Sequence, residues 1–320
     1  MNKAPQEKPG FNTKATQLPR QLIAAVFTPF TRRYDVNLKT IDRYAEFLAK
    51  QGVAGVFVCG TTGEGLSLTI RERFDVAERW VRVCGDQMRV FIHVGNECQK
   101  DACALAAHAQ EIGAGAIATI GPNFFKPRNL EELVDHSTAI AAAAPGLPFY
   151  YYHIPAMTGL PYRMINFLTL AAGRIPTLAG IKFTHEDLMD FGLCSQFKRG
   201  RFDMVFGRDE ILLSALALGA RKAIGSTYNF FAPGYLKITK AFEEGDLASA
   251  REEQLYAMKM IQILCRYGSI PAGKAIMAMR GIDCGPVRPP LTLSTSQAGE
   301  LKRDLEAINF FDHVNTLRKR

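Results

Sequence analysis

The sequence predicts a (β/α)8 barrel with a C-terminal helical extension. Three observations lead there. Eight short, uniformly apolar runs recur over about 210 residues, as parallel strands buried on both faces do. Segments with apolar residues at helical spacing lie between them. No G-x-G-x-x-G opens the first helix, as a doubly wound dinucleotide-binding sheet would require. With 320 residues, 48% apolar and 22% charged, the chain is long enough to bury one barrel-sized core.

The strand runs are Leu22 to Pro29, Val53 to Gly60, Arg89 to Gly95, Ala116 to Pro122, Leu147 to Pro155, Leu178 to Thr184, Phe202 to Gly207 and Lys222 to Tyr228. Between the first two, Leu38, Ile41, Ala45 and Leu48 share one face of a helix over Leu38 to Lys50. Leu105, Ala109 and Ile112 do the same over Ala102 to Ile112. Gly52, Gly85, Gly113 and Gly219 follow helical stretches, where a residue free to adopt positive φ ends a helix. Past the eighth unit, Asp246 to Cys265, Gly273 to Met279 and Gln297 to Phe310 read as further helices. The chain therefore divides into an arm over 1–18, polar and punctuated by proline, a barrel over 19–235, and a helical extension of the same domain over 236–320. No linker interrupts it.

Composition narrows the function. No run of about 18 apolar residues occurs, and Met1 to Lys8 lacks the apolar core of a signal peptide, so a cytoplasmic protein that does not enter a membrane is expected. The seven cysteines are scattered, with no C-x-x-C pair, which fits free thiols in a reducing compartment rather than disulfides or structural zinc. The net charge of +8 is spread along the chain. Its one concentration, Leu317 to Arg320, lacks interleaved aromatics and reads as a solvated end, so no nucleic-acid partner is expected.

Lys182 is the most telling residue. It sits in Leu178-Ala179-Gly180-Ile181-Lys182-Phe183, where burying an ammonium is costly. Desolvation lowers a lysine pKa, and the neutral amine can attack a ketone to form a Schiff base. Alone, Lys182 also fits a strand-end lysine that snorkels to solvent. The other strand ends decide between the two, because barrel enzymes build their sites there. Strand two ends in Gly60-Thr61-Thr62-Gly63-Glu64-Gly65, whose hydroxyls and backbone N–H groups can cradle a carboxylate, or form an ordinary turn. Strand five ends in Tyr150-Tyr151-Tyr152-His153-Ile154-Pro155, offering a phenol as proton carrier or core filler. Thr184 follows Lys182. Strand seven ends in Gly207-Arg208-Asp209-Glu210, where Asp209 can also cap a helix, and strand eight in Gly225-Ser226-Thr227-Tyr228-Asn229.

These motifs resemble those of the dihydrodipicolinate synthase and N-acetylneuraminate lyase superfamily. Gly60 to Glu64 is similar to its carboxylate motif, Tyr152 to Pro155 to its tyrosine motif, and Gly180 to Lys182 to its lysine motif. Phe206 to Glu210 and Gly225 to Asn229 resemble the lyase branch, and the likeness runs from about Leu22 into the C-terminal helices.

The resemblance implies a Schiff-base lyase that cleaves N-acetylneuraminate reversibly to N-acetylmannosamine and pyruvate, on a barrel of the TIM type. It implies Lys182 as nucleophile and Tyr152 as the group that moves the C4 hydroxyl proton. It implies Thr61 and Thr62 as holders of the substrate carboxylate, and Thr184, Gly207, Asp209, Glu210 and Ser226 as binders of the hydroxylated tail. A small 2-oxo acid is the partner, no metal or diffusible cofactor is needed, and the implied assembly is a homotetramer. The alternative within the superfamily is a sister pyruvate-dependent aldolase, such as 4-hydroxy-tetrahydrodipicolinate synthase.

Two positions depart from the synthase pattern. Met157 stands where synthases place an arginine for a second carboxylate. Phe124 stands where they place a tyrosine that reaches a neighbouring subunit and relays protons, so either another hydroxyl, such as Thr62, or water completes the relay, or the shared relay is not used. Outside the superfamily, His93, His153 and His185 near three strand ends offer a metal-dependent aldolase or hydrolase, but no pair has ligand spacing such as H-E-x-x-H. A non-catalytic scaffold or nucleic-acid binder on the same fold is the remaining class.

Overall fold

The structure, a computed structural model, describes residues 21–317; the expected arm over 1–18 and the last three residues of the basic end lie outside them. Eight parallel strands close into a barrel in sequence order: β1 (Gln21–Ala25), β2 (Gly55–Val58), β3 (Arg89–His93), β4 (Ala116–Thr119), β5 (Phe149–His153), β6 (Leu178–Phe183), β7 (Asp203–Phe206) and β8 (Lys222–Gly225). Leu22 pairs with Ala223, which joins β1 to β8 and leaves no open edge.

Side chains alternate across each strand, and this divides the core. Ile23, Phe57, Phe91, Tyr150, Tyr152 and Val205 fill the barrel interior. Val56, Ile92, Tyr151, Ile181 and Phe183 point outward to pack beneath the helices. The helix Leu38–Lys50 lays Ile41, Tyr44, Ala45 and Leu48 on the barrel, and positive φ at Gly52, Gly85, Gly113 and Gly219 turns the chain after the helices that precede them.

Every strand ends before its apolar run does, by one residue at Thr184 and at Gly207 and by two or more at the other six. The surplus apolar residues are buried elsewhere. After β1, Phe27 and Phe30 leave the ladder and meet the C-terminal extension, where a Cβ on Gly273 would lie 2.4 Å from the Phe27 ring and Lys274 Nζ lies 4.1 Å from the centroid of the Phe30 ring. The extension comprises helices Leu247–Arg266, Ser269–Met279, Thr295–Ala307 and Phe310–Leu317. The expected single helix over Gln297 to Phe310 is two, because Asn309 takes φ 55° between them. Its real start lies earlier, where Ser294 and Gln297 form a reciprocal capping box. Among the described residues no helix is long and apolar enough to cross a membrane.

Candidate active site

Alternation along β6 turns Ile181 and Phe183 outward and Lys182 into the barrel. The β5–β6 ladder sets Tyr152 directly beside Lys182. The lysine Nζ lies 3.6 Å from the centroid of the Tyr152 ring and 4.1 Å from that of Phe57. Lys182 is only 4% exposed, and burial pushes its pKa below the ordinary lysine value, opposed in part by Tyr152 and Asp209. Two aromatic faces thus stabilise the cationic form, against the burial that shifts the balance toward the neutral amine.

The Tyr152 hydroxyl lies 3.3 Å from Thr61 Oγ1, so the hydroxyl within reach of it is Thr61. The turn carrying Thr61 and Thr62 is fixed by backbone geometry. Glu64 N bonds Thr61 O at 3.0 Å, Gly65 N bonds Gly60 O at 3.0 Å, and Thr28 Oγ1 donates to Gly63 O at 2.6 Å. A Cβ on Gly65 would lie 1.8 Å from Cys59 O, so only glycine lets the turn fold back on its own strand. Thr62 is buried and Thr61 half-buried.

Beyond β6, Thr184 N bonds His153 O at 2.8 Å, and Gly207 N bonds Phe183 O at 2.8 Å. These bonds bring Gly207 against Thr184, whose Oγ1 is buried with no hydrogen-bond partner among the described residues. Asp209 is buried and does not cap a helix. Its Oδ2 accepts from Thr227 N at 3.0 Å and from Thr227 Oγ1 at 2.6 Å. Burial, then the charge of Glu210, push its pKa up to about 6. Glu210 is half-buried, with Arg208 Nη1 3.8 Å away. Gln254 Nε2 from the extension donates to the carbonyls of Asp209 and Glu210 at 3.1 and 3.0 Å. Ser226 is half-buried, and its carbonyl is held by Asn229 Nδ2 at 2.7 Å.

Tyr152 therefore touches both Lys182 and the threonine turn, Gly207 meets Thr184, and Asp209 lies near enough to Lys182 for its charge to act on the amine. Thr227 and Arg208 join the second group without having been singled out. Thr227 follows Ser226 in the same motif, so the turn at the end of β8 already carried the signal.

The three histidines do not converge. His93 packs near Phe57 and Tyr152, its Nδ1 3.1 Å from Cys59 O, and burial holds its pKa well below the usual range. His153 and His185 lie 5.5 Å apart against Phe183, on the outer side of the sheet, and burial pushes His153 down to about 3. Among the described residues no three His, Cys, Asp or Glu side chains form a metal-holding group.

The model of the dihydrodipicolinate synthetase family matches residues 18–308. N-acetylneuraminate lyase of Rattus norvegicus is 45% identical over 295 residues, covering 90% of this chain and 92% of that protein. The human N-acetylneuraminate lyase is 43% identical over 300 residues, covering 91% and 94%. Among solved structures, Proteus mirabilis N-acetylneuraminate lyase superposes with TM-score 0.89 at 40% identity, covering 91% of this chain and 99% of that one. The sialic acid aldolase of Aliivibrio salmonicida gives TM-score 0.89 at 41% identity, covering 91% and 97%. A closed eight-stranded barrel with its inward lysine and tyrosine side by side, matched over nine-tenths of its length, makes this chain a member of the dihydrodipicolinate synthetase family.

Proposed function

We propose that this protein is a Schiff-base lyase that cleaves N-acetylneuraminate reversibly to N-acetylmannosamine and pyruvate. The observation that carries the reading is the buried Lys182 amine 3.6 Å from the ring of Tyr152, whose hydroxyl reaches Thr61. In cleavage, the neutral Lys182 amine adds to the C2 ketone of the open-chain sugar acid, and loss of water leaves an iminium. Tyr152 takes the C4 hydroxyl proton, the C3–C4 bond breaks, and its electron pair passes into the iminium to give an enamine. N-acetylmannosamine departs as the aldehyde. Protonation at C3 and hydrolysis release pyruvate and restore the amine.

Thr61 and Thr62 hold the carboxylate, and Thr61 passes protons to and from Tyr152. Thr184, Gly207, Asp209, Glu210 and Ser226 bind the hydroxylated tail, where the buried Asp209 and half-buried Glu210 carboxylates select for vicinal hydroxyls. Met157, exposed after β5, offers no cation for a second carboxylate, which favours this substrate over that of a synthase. The reading needs no metal or diffusible cofactor. It also includes a homotetramer, supported by the adjacent and exposed Phe124 and Phe125 on the loop after β4.

The test is to incubate the protein with pyruvate and borohydride and to assay cleavage of N-acetylneuraminate. One reduced pyruvyl group at Lys182, together with cleavage that a chelator leaves intact, supports the reading. Trapping at another residue, or faster consumption of aspartate semialdehyde with pyruvate than of sialic acid, overturns it.

A further inference from the structure

Glu64 stands inside the threonine turn, yet its side chain leaves the site. It adopts φ 55°, a left-handed conformation uncommon outside glycine, and sends a buried carboxylate toward the C-terminal extension. There Lys274 Nζ, on the helix Ser269–Met279, lies 2.7 Å from Glu64 Oε1, with both side chains at most 3% exposed. The same ammonium donates to Pro286 O at 2.8 Å and sits 4.1 Å from the centroid of the Phe30 ring. Glu64 Oε2 accepts from Arg288 N at 2.7 Å, and the Arg288 guanidinium donates to Ser67 O just past the turn.

Burying two charges has a desolvation cost that a well-packed apolar pair of similar volume avoids, so stability alone is a weak reason for this arrangement. What the ion pair supplies is direction. A buried carboxylate with a single buried ammonium fixes the Glu64 backbone and, through the bonds from Glu64 N to Thr61 O and from Gly65 N to Gly60 O, the attitude of both threonines. The extension thereby reaches a turn that lies far earlier in the sequence, between β2 and the helix after it.

We infer that Lys274 and Glu64 are positioning residues, which hold the Thr61–Thr62 turn at the geometry that receives the carboxylate of a 2-oxo acid. The inference rests on the aldolase reading above and adds to it a part of the protein with no contact to substrate. Neither residue takes part in bond making; their effect falls on carboxylate binding rather than on the amine.

The experiment compares the parent protein with Glu64→Met/Lys274→Met, which removes both charges together, and with Glu64→Gln, which keeps the shape and the Arg288 bond. Pyruvate is titrated in the presence of borohydride, adduct at Lys182 is counted by peptide mass, and thermal unfolding is followed in parallel. In variants that unfold cooperatively near the parent temperature, the half-saturating pyruvate concentration should rise at least about tenfold, while trapping at saturation stays at the parent level. Should the double variant fail to fold, Glu64→Gln carries the same expectation. Unchanged half-saturation in a folded variant overturns the inference. A parent protein that pyruvate and borohydride do not label overturns the aldolase reading itself, and the two failures are thereby told apart.

Discussion

Gly225 and Asp209 compete for one space: a Cβ on Gly225 would lie 1.8 Å from Asp209 Oδ1. The carboxylate approaches the barrel only because β8 ends in a residue without a side chain. Gly225→Ala should therefore displace Asp209 without touching Lys182. We expect it to lose cleavage of N-acetylneuraminate while pyruvate and borohydride still label Lys182, measured by paired activity and mass assays. Loss of labelling as well would mean that the substitution damages the barrel.

Asp209 itself should separate the two halves of the substrate. Asp209→Ala removes a charged hydrogen-bond acceptor and should lower kcat/KM for N-acetylneuraminate by about ten- to a hundredfold, with pyruvate labelling retained. Equal loss of both would assign Asp209 to structure through Thr227.

A pH profile tests the same group. Its pKa is raised to about 6, so folding stability from this carboxyl is fully present below its ordinary value and is lost as pH rises through about 6. Activity runs the other way, because sugar hydroxyls need the ionised acceptor: kcat/KM for cleavage should fall below about pH 6. Thr227→Val removes the hydroxyl that stabilises the anion and should move this acid limb to higher pH. A profile unchanged by that substitution would dissociate the limb from Asp209.

The phenol is tested without disturbing packing. Tyr152→Phe keeps the ring beside Lys182 and Phe57 while deleting the hydroxyl that reaches Thr61. It should unfold near the parent temperature, still be labelled with pyruvate, and lose at least about a hundredfold in kcat. Turnover close to that of the parent would return Tyr152 to a packing role.

Lys182, Tyr152 and the barrel were legible because each rests on a local contrast. A cation or phenol in an apolar run stands out, and alternation along a strand then fixes the side to which it points. Strand ends were less legible, since Phe27 and Phe30 continue the apolar pattern of β1 while meeting a helix far later in sequence. The break at Asn309 left no glycine or proline to mark it. Lys274 lies in Pro271-Ala272-Gly273-Lys274-Ala275-Ile276, so the burial argument that singles out Lys182 applies to it equally. Its partner Glu64, however, is set by the docking of the extension, and no spacing rule connects them. The same holds for Thr227 and Asp209, whose contact depends on how β7 and β8 turn over the barrel mouth.

The pairing of Tyr152 with Lys182 across the β5–β6 ladder has a consequence for how such a protein can change. Lys182 and Tyr152 are spaced by the hydrogen-bonded backbone of neighbouring strands, whereas Gly207, Asp209, Glu210 and Ser226 stand on the turns after β7 and β8. On the proposed reading, bond making belongs to β5 and β6, and selectivity belongs mainly to the turns after β7 and β8, with Thr184 at the end of β6 as the one tail binder on the reactive side. A library randomised at those four turn positions should yield many folded members that pyruvate and borohydride still label, each free to accept a different aldehyde. In such a design, new substrates become accessible by altering one side of the ring while the reactive amine keeps its neighbour.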